Sequence, residues 1–113
     1  MLMATVPLGA GERMSMKVYP AVAFAPANLI VSAMVIADAD NRALQIIAES
    51  PDFYRSSMVQ LEGDRAARTS RFEFRSLPPG RYVVRANLYG ANGAQRASVR
   101  QQMNVMASGM GDR

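Results

Sequence analysis

From Met14 onward, apolar and polar positions alternate in short runs, each cut by a turn signal after roughly a dozen residues. Met14–Tyr19 is the first run and stops at Pro20; Ala21–Asn28 carries Pro26 and reads as an irregular edge crossing. Leu29–Ala37 is β-branched and long for one strand, and Asp38–Arg42 is a turn. Ala43–Glu49 follows, closed by Ser50-Pro51-Asp52; Tyr54–Leu61 comes next and ends at Glu62-Gly63-Asp64. Thr69–Arg75 alternates strictly, and Ser76-Leu77-Pro78-Pro79-Gly80 stops it. Arg81–Tyr89 and Gln95–Val105 read as a hairpin about Asn92-Gly93, a favoured turn pair. The one helix candidate, Asn41–Glu49, is short and β-branched, which favours a strand. The pattern predicts an all-β protein, a seven-stranded antiparallel β-sandwich.

Alternation also assigns faces, because successive side chains on a strand point to opposite sides. Tyr82, Val84, Ala86 and Leu88 share a face, with Arg85 on the other; burying an arginine is costly, so the Tyr82 set points inward. Phe72 and Phe74 point inward likewise, as do Val99, Met103 and Val105, which carry Gln101 to a rim position. The Leu29 strand is apolar on both faces, so it is either covered twice or leaves an apolar strip open.

Composition narrows the chemistry. The chain has 113 residues, one domain's worth, and contains no Cys, His or Trp. That excludes disulfides, thiolate metal sites, cysteine nucleophiles and imidazole bases. The net charge of +4 is uneven. Residues 1–64 are acidic on balance, whereas residues 65–100 carry eight arginines against Glu73 alone. Such a segment suits an anionic partner, but arginines filling solvated strand positions in a chain from a GC-rich genome explain it as well.

No stretch approaches the roughly 20 apolar residues of a membrane span. Residues 1–13 read as a flexible segment, and the apolar, small-residue start resembles the back half of a signal peptide. On that reading the protein is periplasmic or secreted, and it is cytoplasmic if residues 1–12 are no signal remnant. Residues 14–106 form the sandwich, and residues 107–113 form a glycine-rich, disordered tail.

Leu77-Pro78-Pro79-Gly80-Arg81-Tyr82, leading into a strand, resembles the start of the sixth strand in fibronectin type III and related immunoglobulin-like domains. The resemblance implies a Greek-key sandwich and a tyrosine corner, in which the Tyr82 hydroxyl turns back to upstream backbone and Pro79 and Gly80 shape the turn. Val84 stands where antibody domains have a cysteine, so the likeness is to the disulfide-free branch. Asn41–Leu44, Asp52–Ser57, Gln60–Gly63 and Arg100–Val105 resemble a group of small uncharacterised bacterial exported proteins, which implies export and no particular function.

Phe53, Tyr54 and Arg55, with Ser56 and Ser57, make a candidate binding edge, since aromatics and arginine concentrate interface energy. The alternative is that one ring packs inward and the serines fill an edge strand. Arg85, Arg96 and Arg100, with Tyr89, form a candidate basic strip on the last hairpin. Asp38, Asp40 and Asn41 have calcium-type oxygens but serve equally as turn residues. Carboxylate pairs occur only within turns, so the sequence predicts no enzyme, no cofactor and no metal. The expected function is a non-catalytic immunoglobulin-like binding or adaptor module that meets a protein partner through a sheet face or strand edge. Alternatives are a homo-oligomeric structural subunit of an envelope, pilus or phage assembly, and a weak anion or nucleic-acid binder using residues 65–100.

Overall fold

The computed structural model describes residues 13–107. The expected flexible segment and tail fall outside these residues, apart from Arg13 and Ala107. Eight strands are present among the described residues: β1 (Met14–Tyr19), β2 (Val22–Phe24), β3 (Ala27–Val35), β4 (Asn41–Ser50), β5 (Phe53–Gln60), β6 (Thr69–Leu77), β7 (Gly80–Gly90) and β8 (Gln95–Met106). They form two sheets, one ordered β1-β3-β6 and one ordered β2-β8-β7-β4-β5.

The expectation of seven antiparallel strands needs correction. The Ala21–Asn28 crossing contains β2, which pairs with β8 in parallel, Ala23 opposite Val105. Prolines 20 and 26 bracket it, which masked the strand in the sequence because proline cannot donate to a ladder. The other pairings are antiparallel.

The core lies between the sheets. Leu29, Val31, Ala33 and Val35 of β3 face Leu44, Ile46 and Ala48 of β4 and Val84, Ala86 and Leu88 of β7, and all are buried. Burying each larger aliphatic side chain stabilises the fold by about 1.5–3 kcal/mol. The two-faced β3 is thereby resolved. Its second face is the outer one, where Ile30 and Ser32 are half-buried and Met34 is 49% exposed. Phe74 is fully inside and Phe72 packs at the margin. Gln101 is half-buried, in keeping with a rim position.

Two local devices close the ends. At the β6–β7 corner, the Tyr82 hydroxyl donates to the Pro78 carbonyl at 2.7 Å, four residues upstream. Gly80 begins β7 where a Cβ would sit 3.2 Å from the Ser50 side chain. Just before the corner, Arg75 and Ser76 bulge opposite Asn28; Ser76 adopts φ +60° and its N–H donates to Asn28 Oδ1. At the opposite end, Arg96 plugs the space below the β3–β4 turn. It donates to Asn41 Oδ1 at 2.6 Å and pairs with Asp38 and Asp40.

Candidate functional site

Register assembles the outer face of the larger sheet from four strands. Tyr54, Glu49, Val83 and Gln102 lie in one cross-strand row, and Ser56, Ile47, Arg85 and Arg100 in the next. The row after holds Met58, Gln45, Asn87 and Ser98, and Tyr89 lies beyond it, opposite Ala43. Four of the candidate residues, Tyr54, Arg85, Tyr89 and Arg100, therefore share one surface.

This face is stiffened by a polar chain that alternation alone does not reveal. Ser98 Oγ donates to Asn87 Oδ1 at 2.8 Å, and Asn87 Nδ2 donates to Gln45 Oε1 at 3.4 Å. The Tyr89 hydroxyl donates to the same Gln45 oxygen at 3.1 Å. Asn87 points outward yet is only 8% exposed, so its amide needs these partners. Recognising Gln45, Asn87 and Ser98 requires the register of three strands, which the sequence does not supply.

Arg85 and Arg100 face each other directly across β7 and β8, a repulsive arrangement for like charges. Glu49 offsets it in part, 3.5 Å from Arg85, while both groups remain well solvated.

The other three candidates act elsewhere. The Phe53 ring meets the Tyr82 ring edge-on with centroids 6.1 Å apart, so it closes the core margin. Arg55 lies 5.1 Å over Phe53 and donates to the Arg75 carbonyl of β6 at 3.1 Å. It ties the two sheets together. Arg96 belongs to the plug. Tyr54 is presented to solvent at 57% exposure, whereas Arg55 is exposed but engaged on β6.

The calcium reading of Asp38, Asp40 and Asn41 does not fit. Arg96 occupies all three side chains, and no group of three or more His, Cys, Asp or Glu suited to a metal occurs among the described residues. The Asp40 N–H and the Arg96 guanidinium hold the Asp38 carboxyl below its usual range. Burial pushes the Tyr82 phenol up.

The basic segment does not form one patch. Arg71 and Arg75 lie with Lys17 on the outer side of the smaller sheet, Arg81, Arg85 and Arg100 on that of the larger one, and Arg96 inside the plug. Strand alternation and the change of sheet between β6 and β7 disperse a charge that is contiguous in sequence.

The edges of the sheets differ sharply. β2 is three residues long between prolines. β1 carries Lys17 and runs close beside β8. β6 carries Arg71, Glu73 and Arg75, and its Arg75 carbonyl is taken by Arg55. Among the described residues β5 pairs with β4 on one side only, and its eight residues include neither proline nor lysine. Its single charge, Arg55, is turned onto β6. Natural sheets guard their edges with short strands, charges or prolines, and β5 has none of these facing outward.

The sequence matches no protein-family model and no curated protein. Solved structures do match. A superoxide reductase (neelaredoxin) from Ignicoccus hospitalis aligns over 82% of this chain and 80% of its own, with TM-score 0.65 and 15% identity. The fibronectin(III)-like modules of Clostridium thermocellum CbhA align over 84% and 98%, with TM-score 0.57 and 12% identity. The PmoD soluble domain from Methylocystis sp. aligns over 81% and 90%, with TM-score 0.53 and 13% identity. These likenesses show an all-β fold of two sheets. They also correct the expectation that the chain is no enzyme: superoxide reductases are enzymes built on a similar fold, so the architecture gives no ground for that exclusion. At 15% identity the fold carries over and the activity does not. No helix among the described residues is long and apolar enough to cross a membrane.

Proposed function

We propose that the chain is an immunoglobulin-like, fibronectin type III-like module that binds a protein partner by strand addition at the β5 edge. The outer face beside that edge gives specificity. The single observation that carries the reading is the unguarded β5: eight residues with one side unpaired among the described residues, while the other edges are short, charged or occupied. Strand addition draws affinity from main-chain hydrogen bonds and selectivity from alternate side-chain pockets. Tyr54 and Met58, both exposed on the outer face, supply the side-chain contacts.

The Greek-key assignment is supported by the sheet orders, with β3 to β4, β5 to β6 and β6 to β7 each changing sheet, and by the Tyr82 corner. It is supported too by the near-complete coverage of the CbhA module. Periplasmic or secreted placement rests on the signal-like residues 1–12. A photo-crosslinking residue at position 56, introduced in cells that make the protein, tests the binding edge. Adducts to protein are expected there and not at position 34 on the opposite sheet. Equal labelling at both positions, or none at 56, overturns the reading.

A further inference from the structure

We propose that the occupant of the β5 edge is a second copy of this chain, paired antiparallel through β5 about a two-fold axis at Ser56. This rests on the reading of β5 as a binding edge and names its partner.

The argument is one of register. A two-fold axis perpendicular to a continuous sheet keeps each outer face outer, so odd residues pair with odd and even with even. The axis must then pass midway between the two copies of one residue. Centred on Arg55, it would set two guanidinium-bearing residues directly opposite each other, which is repulsive. Centred on Ser57, it would set Ser56 opposite Met58 and Arg55 opposite Val59, leaving apolar side chains against polar ones.

Centred on Ser56, every pairing is compatible. Tyr54 meets Met58 of the other copy on the outer face, a favourable aromatic–thioether contact, and does so twice by symmetry. On the inner side, Phe53 meets Val59 and Arg55 meets Ser57. No two charged residues are directly opposed. The three exposed large hydrophobic side chains of β5, Tyr54, Met58 and Val59, are all covered in this register. Arg55 is held on its own β6 through the Arg75 carbonyl, so the two guanidinium groups are drawn away from the axis. The result is one continuous ten-stranded sheet from two five-stranded ones.

The test uses the absence of cysteine from the chain. Two residues facing each other across an antiparallel pair have Cα atoms about 4.5–5.5 Å apart, within disulfide range. Ser56→Cys should therefore form a covalent dimer under mild oxidation. Ser57→Cys should not, because its own copy lies on the diagonal, about 8 Å away. The unmodified chain should pass from monomer to dimer by light scattering between about 1 μM and 1 mM. Ser56→Lys, which sets two ammonium groups face to face at an exposed site, should weaken the dimer at least tenfold. Its near-ultraviolet circular dichroism should match that of the unmodified chain.

A chain monomeric throughout overturns the second-copy proposal, as does a dimer in which Ser56→Cys does not cross-link. If such a monomer still gives position-56 adducts to other proteins, the binding-edge reading stands and only its occupant is wrong. If it gives none, both fall.

Discussion

The Tyr82 hydroxyl donates to the carbonyl oxygen of Pro78 at 2.7 Å, and the ring beneath it is 1% exposed. One side chain thus fills the end of the core and fixes the chain's passage from one sheet to the other. Tyr82→Phe keeps the ring and loses the bond, and should cost about 1–2 kcal/mol in urea denaturation. The folded-state pKa of the phenol is raised by burial. Its contribution is therefore complete below the unfolded value of 10.0 and lost as pH rises through the folded value. Tyr82→Phe should remove that part of the alkaline loss of stability.

Arg96 should be irreplaceable by lysine. Its guanidinium reaches Asn41 Oδ1, Asp38 and Asp40 together, and Asn41 is 1% exposed. Arg96→Met strands the Asn41 oxygen in the interior and should cost about 2–4 kcal/mol. Arg96→Lys should recover less than half of this, since an ammonium lacks the planar fork.

The same cluster contributes to acid sensitivity. Asp38 has a lowered folded-state pKa, through the Asp40 N–H first and Arg96 second. Its contribution is present above the ordinary carboxylate value of 3.8 and lost as pH falls through the lowered one. Asp38→Asn should flatten the acid limb of a stability–pH curve in that window.

Gly63 adopts φ +61°, and a Cβ there would lie 2.8 Å from the Ala39 carbonyl oxygen. Gly63→Ala should cost about 1–3 kcal/mol, through left-handed strain and displacement of the β3–β4 turn. Chemical denaturation reads this directly.

The two faces of β3 should respond differently to truncation. Leu29 is fully buried, so Leu29→Ala should cost about 2–5 kcal/mol. Met34 is half exposed on the outer face, and Met34→Ala should stay within about 0.5 kcal/mol.

The basic pair on the outer face should be dispensable for folding. Arg85→Ala with Arg100→Ala should change stability by less than about 0.5 kcal/mol, because the Arg85–Glu49 pair is solvated and the arginines repel each other. The pair lies two and three strands in from the β5 edge, so the same double variant should leave the dissociation constant of the β5-paired dimer within about threefold, by light scattering.

What the sequence determined by itself is local in origin. Period-two alternation placed Tyr82, Val84, Ala86 and Leu88 inward and Arg85 and Tyr89 outward, because a strand's own backbone fixes that choice. The Pro-Pro-Gly stop before Tyr82 marked the corner for a similar reason: it is a matter of a few adjacent residues. Strand β2 escaped because its pairing comes from β8, about 80 residues away in the chain. Only the tertiary structure decided which of Phe53, Tyr54 and Arg55 is free, since Tyr82 and the Arg75 carbonyl claim two of them from distant strands. It likewise split six of the eight arginines between two sheets and an internal plug, and left β5 at an open edge. Alternation gives each strand two faces, but whether a face or edge meets solvent depends on strand order, and strand order is set by non-local burial.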